Sequence, residues 1–110
     1  MKIPLKDTKF FDRNTFTGQR YVETKEGRGF NAILVTSIVG HEKVRLTGAT
    51  RLYFIIEGTG TFTINGVQDP AEPYDLFLIE NGDMYEYKGA MKMFHFNVPG
   101  TDSSNEEKMD

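Results

Sequence analysis

Apolar and polar residues in this chain alternate mostly at a spacing of two, and no stretch carries a helical period longer than a turn. At the centre, residues 52–56 (LYFII) form a continuous β-branched and aromatic run, too short for a helix and typical of a strand covered on both faces. Gly58 and Gly60 break that run. Residues 61–64 then alternate polar and apolar, as a half-buried strand does, and Asn65-Gly66 supplies the positive φ angles of a two-residue hairpin turn.

The same reading extends outward in both directions. Residues 20–24 predict a short strand, 25–29 (KEGRG) a turn, and 30–38 (FNAILVTSI) a strong strand that Gly40 ends. Residues 41–50 predict one weaker strand, with Val44 and Leu46 alternating against Arg45 and Thr47. Downstream, 69–73 (DPAEP) reads as a loop, because two prolines do not share a ladder. Residues 75–79 predict a buried strand and 84–88 a strand with Tyr85 and Tyr87 on one face. Residues 91–98 set Lys92, Phe94, Phe96 and Val98 against Met91, Met93, His95 and Asn97, and Pro99-Gly100 stops them. Residues 1–19 read as an irregular arm pinned by Phe10, Phe11 and Phe16, and the charged residues at 102–110 as a frayed tail. About nine short strands without a long helix predict a two-sheet antiparallel sandwich or barrel.

Composition narrows the chemistry. A chain of 110 residues is one domain, divided here into an arm and first strand (1–29), a barrel (30–99) and a polar tail (100–110). With no cysteine, disulfides, zinc-thiolate sites and cysteine nucleophiles are excluded. A net charge of −3, with the basic residues scattered among acids, argues against a nucleic-acid partner. The first residues lack a secretory apolar core and no run approaches a membrane span, so the expectation is a cytoplasmic protein without a membrane partner.

The two stretches IIEGTGTFTING (55–66) and YDLFLIENGDMYEYKG (74–89) resemble the paired motifs of the cupin superfamily, over roughly residues 30–99. That resemblance implies an all-β double-stranded β-helix, the jelly-roll barrel of the cupin type. An immunoglobulin-like sandwich is the alternative. The family's metal-ligand positions fall on Arg45, Thr47 and Arg51, counted back from Gly58, and on Tyr85, after the turn of the second motif, none of which is a strong ligand for a transition metal. The resemblance therefore implies a cupin without metal or other cofactor. His41 reads as a solvated turn residue and His95 as a core or pocket histidine.

If the strands follow the family, Arg45, Thr47, Arg51, Tyr53 and Tyr85 point inward, with Tyr87 near the wall and His95 beside them. Two accounts of the arginines stand side by side. One of them pairs with an inward carboxylate such as Glu86 or Glu57, or together with the tyrosines they hold an anionic or carbohydrate-like ligand. The expected function is metal-independent binding of such a small molecule. The alternative is a metal-independent enzyme on a sugar or small carboxylate, of isomerase, epimerase or lyase type, with Tyr85 and His95 as acid and base. A homodimer is expected, in which the aromatic residues of 1–24 lie across a neighbouring barrel.

Overall fold

The computed structural model describes residues 1–109. Its strands are β1 (Lys9–Asp12), β2 (Phe16–Val22), β3 (Asn31–Ser37), β4 (Gly40–Leu46), β5 (Thr50–Gly58), β6 (Gly60–Ile64), β7 (Val67–Ala71), β8 (Leu76–Ile79), β9 (Met84–Lys88), β10 (Met91–Val98) and β11 (Glu106–Lys108). Among the described residues there are three single 3-10 turns and no α-helix, and no helix is long and apolar enough to cross a membrane. The strands pair antiparallel into two sheets, ordered β1-β2-β3-β10-β5-β8 and β11-β4-β9-β6-β7. This is the two-sheet antiparallel organisation that the alternation predicts, in the jelly-roll form that the resemblance implies.

The core lies between the sheets, where every second side chain of the central strands meets its counterpart from the other sheet. From the first sheet come Val35, Tyr53, Ile55, Ile79 and Met93, and from the second Val44, Leu46, Phe62, Tyr85 and Tyr87. Full burial of a side chain such as Ile55 or Phe62 contributes about 1.5–3 kcal/mol. The Asn65-Gly66 hairpin forms as predicted, with φ of 50° and 82° joining β6 to β7. Gly58, at φ 84°, ends β5 so close to Ala90 that a Cβ would strike that residue's carbonyl oxygen.

Four expectations change. Residues 1–19 are not irregular: they supply β1 and most of β2, which extend the first sheet, and Phe11 and Phe16 pack on the chain's own core. The arm therefore covers its own barrel, which removes the reason for laying it on a neighbour's. Residues 69–73 are not all loop, because Pro70 pairs with Thr61 in β7, an edge strand whose outer side needs no donor. The tail does not fray at 106–108, where β11 pairs with β4. Finally, β5 and β8 are covered on one face only: Tyr53, Ile55, Phe77 and Ile79 are buried, while Leu76 and Leu78 stay 56% and 48% exposed.

A local irregularity decides which side chains of β4 face inward. In the β4–β9 pair, His41 lies opposite Tyr87 and Val44 opposite Tyr85, so three steps on β4 match two on β9. This bulge puts Glu42 and Lys43 outside and leaves both His41 and Val44 facing inward.

Candidate active site

A cavity of about 550 Å³ opens at one end between the sheets. Its floor is built on Arg51, which is only 2% exposed. The Arg51 Nε donates to Asn97 Oδ1 at 2.6 Å, Nη1 to the Tyr85 hydroxyl at 2.8 Å and to Glu106 at 2.5 Å, and Nη2 to Thr101 Oγ1 at 3.1 Å. All three nitrogens are thus engaged by the protein. Burial alone would lower the Arg51 pKa, but the Tyr85, Tyr53 and Glu106 oxygens around it raise it, so the guanidinium stays charged. Burial would likewise raise the Glu106 carboxyl, yet His41 and Arg51 hold it down at about 2. The carboxylate partner is therefore Glu106, not Glu86 or Glu57: Glu86 faces away between the inward Tyr85 and Tyr87, and Glu57 is exposed.

The hydrogen bonds fix the proton positions by elimination. Arg51 can only donate, so it must face the Asn97 oxygen, and the Asn97 amide nitrogen then donates to Asn31 Oδ1 at 2.8 Å and to His95 Nε2 at 2.9 Å. His95 Nε2 is consequently an acceptor, and the ring is neutral. Burial first, and the Arg51 charge second, push its pKa well below the usual imidazole range.

His41 is arranged differently. Its Nδ1 lies 2.6 Å from the Glu42 carbonyl, which can only accept, so Nδ1 carries a proton and Nε2 is left to face Glu106 Oε2 at 3.6 Å. The ring stacks between Phe16 and Tyr85, with centroids at 5.2 and 5.4 Å. Next to it, the Tyr53 and Tyr85 hydroxyls are 2.7 Å apart, and burial raises both phenol pKa values, so both keep their protons. A row therefore runs from the Arg51 charge through the Tyr85 hydroxyl to Tyr53, a residue of the cavity wall.

Of the residues picked out in the sequence, Arg51, Tyr53 and His95 line the cavity, and Tyr85 supports them from behind. Arg45 and Thr47 do not point inward. The β4 bulge sets the phase so that Val44 and Leu46 take the inner positions, leaving Arg45 to donate to the Gly82 carbonyl and Thr47 to the Asn105 carbonyl. Tyr87 is buried against Phe62 and Tyr53, and its hydroxyl has no hydrogen-bond partner. Tyr87→Phe should accordingly raise the stability of the free protein by about 1 kcal/mol in urea unfolding, since an unpaired buried hydroxyl is removed. A loss of stability instead would show that this hydroxyl is satisfied in solution. The site residues that sequence reasoning misses are His41, hidden by the bulge, and Glu106, Asn31 and Thr101, which no motif marks. Asn97 is visible as a polar residue in the inner set of β10.

The donor set does not fit a metal ion. At the family's ligand positions stand a fixed cation, Arg51, already bonded to Tyr85, and two apolar residues in place of the side chains turned outward. Among the described residues no group of three histidine, aspartate or glutamate side chains lies close enough to hold one.

Neither a protein-family model nor a curated protein matches the sequence. Solved structures do match the fold. The nucleoside dehydratase Pac13 superposes with a TM-score of 0.86 at 19% identity, over 99% of this chain and 90% of that one. The chain has the cupin fold. KdgF from Halomonas sp. matches at a TM-score of 0.80 and 11% identity, over 93% of this chain and 96% of that one. Ectoine synthase from P. lautus matches at 0.75 and 20%, over 86% and 72%. The immunoglobulin-like alternative is thereby set aside.

Proposed function

We propose that this cupin is an acid–base enzyme of the lyase class that removes water from a small hydroxylated substrate, nucleoside-like or sugar-like, without a metal. The observation that carries the reading is His41, whose Nδ1 proton is pinned to a backbone carbonyl so that Nε2 is the proton-transfer atom, at the wall of an open cavity. In the step, Nε2 takes a proton from a carbon and the freed electron pair forms a carbon–carbon double bond. The neighbouring C–O bond breaks, and the leaving hydroxide takes the Tyr53 proton and departs as water. The Tyr53 phenolate is held by the Tyr85 hydroxyl, itself bonded by Arg51, and recovers its proton from the imidazolium. His95 serves this site as a positioning residue through Asn97, because its Nε2 is already occupied.

Two further observations support a polar ligand of this kind. Structures of Streptomyces Pac13 with uridine, in variants carrying Tyr→Phe or His→Gln, superpose on this chain with a TM-score of 0.87. At the cavity mouth, Arg20 sits 4.1 Å above the Phe11 ring, and Phe11 can lie there because Gly18 beneath it has no side chain. Neither Arg20 nor its neighbour on the rim, Arg13, has a carboxylate within ion-pair distance among the described residues. An acidic substituent on the ligand would pair with these rim groups, while Arg51 stays committed to the protein.

The test begins with thermal stability against uridine, other nucleosides, uronates and sugar phosphates, followed by mass spectrometry for loss of water from whichever stabilises. A ligand at one hundred times its Kd adds about 2.7 kcal/mol. His41→Gln should lower turnover by about 10²–10⁴ while leaving ligand stabilisation in place. Saturable stabilisation with no conversion would make the protein a binding module. Turnover that survives His41→Gln would remove His41 from the chemistry.

A further inference from the structure

We infer that the ligand of this cavity carries a phosphate monoester, held at the mouth by Arg20 with Arg13, on the side of its ring remote from the departing hydroxyl. The reacting end of that ligand is taken from the lyase reading above, and the charged end follows from β2. The pairing registers set Arg20, Ile33, His95 and Tyr53 in one cross-strand row, running from β2 through β3 and β10 to β5. Residues directly opposite one another turn to the same face of a sheet, and Ile33 and Tyr53 belong to the core, so Arg20 is turned inward with them. All four line the cavity, and Arg20 is half-buried there.

A guanidinium turned into a cavity loses hydration, and only a facing acceptor offsets that loss. Arg51 has Glu106. Arg20 has the face of Phe11 at 4.1 Å, which attracts the charge but offers no lone pair to its N–H groups. The carboxylates that share the cavity are engaged elsewhere: Glu106 by Arg51, Glu23 by Lys9 at 3.4 Å and Lys25 at 3.8 Å, and Asp102 by the Ser104 backbone and hydroxyl. The cavity thus sets four cations, Arg13, Arg20, Lys25 and Arg51, against those three carboxylates, in a chain whose net charge is −3. Two guanidinium forks without a carboxylate, at the mouth of a pocket in an acidic chain, make an oxyanion site. The seat of Arg20 is also built into the fold. Phe11 lies over Gly18, where a Cβ would come within 2.2 Å of its ring; it meets Phe16 edge-on at 6.1 Å, and Phe16 stacks on His41 at 5.2 Å. The rings that seat the cation therefore also wall the base.

Spacing and charge select a phosphate ester among oxyanions. Arg20 and Tyr53 stand three strand steps apart in their row, about 14 Å at ~4.8 Å per step. A hydrogen bond of ~3 Å at either end leaves roughly 8 Å between the departing oxygen and the nearest oxygen of the anion. A carboxylate borne directly on a sugar ring falls short of that span, whereas a phosphate reaches it through its additional C–O–P link. The charge agrees, because a carboxylate fills one guanidinium fork and a phosphate dianion, with three free oxygens, fills two. A cavity of about 550 Å³ takes a ligand of this size. Nucleoside monophosphates and sugar phosphates share this chemistry.

The experiment is titration calorimetry on the full chain with uridine against uridine monophosphate, ribose against ribose phosphate, and glucuronate. In at least one pair the phosphate ester should bind about tenfold or more tighter than its parent, and tighter than glucuronate. Arg20→Gln should bring that preference to within about twofold of none, while Arg20→Lys, which keeps the charge and loses the fork, should retain part of it. Lys92→Gln, a cation of the same sheet that does not line the cavity, should leave the preference in place. Arg13 is exposed, so Arg13→Gln, with a several-fold loss expected, gives the same test where Arg20→Gln disturbs folding. Esters that bind no better than their parents, a preference that both variants leave intact, or a glucuronate favoured over both esters would overturn the phosphate site. Mass spectrometry for loss of water separates the two readings. A phosphate ester held through Arg20 but never dehydrated supports the site and removes the lyase reading, and dehydration of uridine or ribose with kcat/KM equal to that of its ester does the reverse.

Discussion

Arg51→Ala is expected to destabilise the protein by about 3–5 kcal/mol, the largest effect of any single substitution considered, and to leave a sizeable fraction unfolded. The reason is not the lost attraction alone. Removing the guanidinium strands a set of acceptors that were built around it: the Glu106 carboxylate, the Asn97 oxygen and the Tyr85 and Thr101 hydroxyls, three of which belong to buried residues. Glu106 then sits largely enclosed with no fixed counter-charge beside it. Arg51→Met combined with Glu106→Gln, which removes both charges, should recover part of the loss, because the pair is costly mainly when one member is missing. Urea unfolding at neutral pH decides it. A single variant within 1 kcal/mol of wild type would mean that solvent enters the cavity floor and hydrates the carboxylate, contrary to the packing described.

The second large effect is on acid stability, and it should come in two stages. Because His95 stays neutral in the fold with a pKa below its usual 6.5, the unfolded chain gains a proton first, and stability begins to fall as pH drops below that value. Glu106 acts lower down. Its folded pKa of about 2 against an ordinary 4.5 is a stabilisation fully present above pH 4.5 and lost as pH falls toward 2, worth about 3 kcal/mol in total. Unfolding midpoints in urea should therefore decline gently below pH 6.5 and steeply below 4.5. Glu106→Gln should flatten the steep part and His95→Gln the gentle part. A steep part that persists in Glu106→Gln would assign acid unfolding to other carboxylates.

The sequence reveals those parts of this molecule where alternation runs unbroken. β10 shows its inner set, Met91, Met93, His95 and Asn97, as a plain period of two, and β9 shows Tyr85 and Tyr87 the same way. Arg51 and Tyr53 follow from the family's pattern counted from Gly58, because the unbroken apolar run 52–56 shows no phase of its own. Three features are illegible for separable physical reasons. The bulge between His41 and Val44 adds a residue to one strand, and a single insertion exchanges inside for outside, which is why His41 reads as a turn residue in solvent; Arg45 and Thr47 are put in the cavity only by the family's pattern counted from Gly58, against the apolar alternation of Val44 and Leu46. β11 is three charged residues, and no hydropathy pattern separates such a strand from a tail. The short β1 and β2 carry Gly18 and Gln19 among their aromatics, so their pairing rests on register with β3, which a local reading does not supply.

The Arg51–Glu106 pair spans 55 positions of the chain. On a ribosome, β4 and β5 emerge well before residues 101–108, so for an interval the nascent polypeptide holds the guanidinium, the β4 edge and most of the barrel without the carboxylate that neutralises them or the strand that covers that edge. The late segment thus acts as a latch on folding. Until it docks, Arg51 lacks its carboxylate and β4 its outer neighbour, so the last strand to be made completes the ion pair and the sheet together.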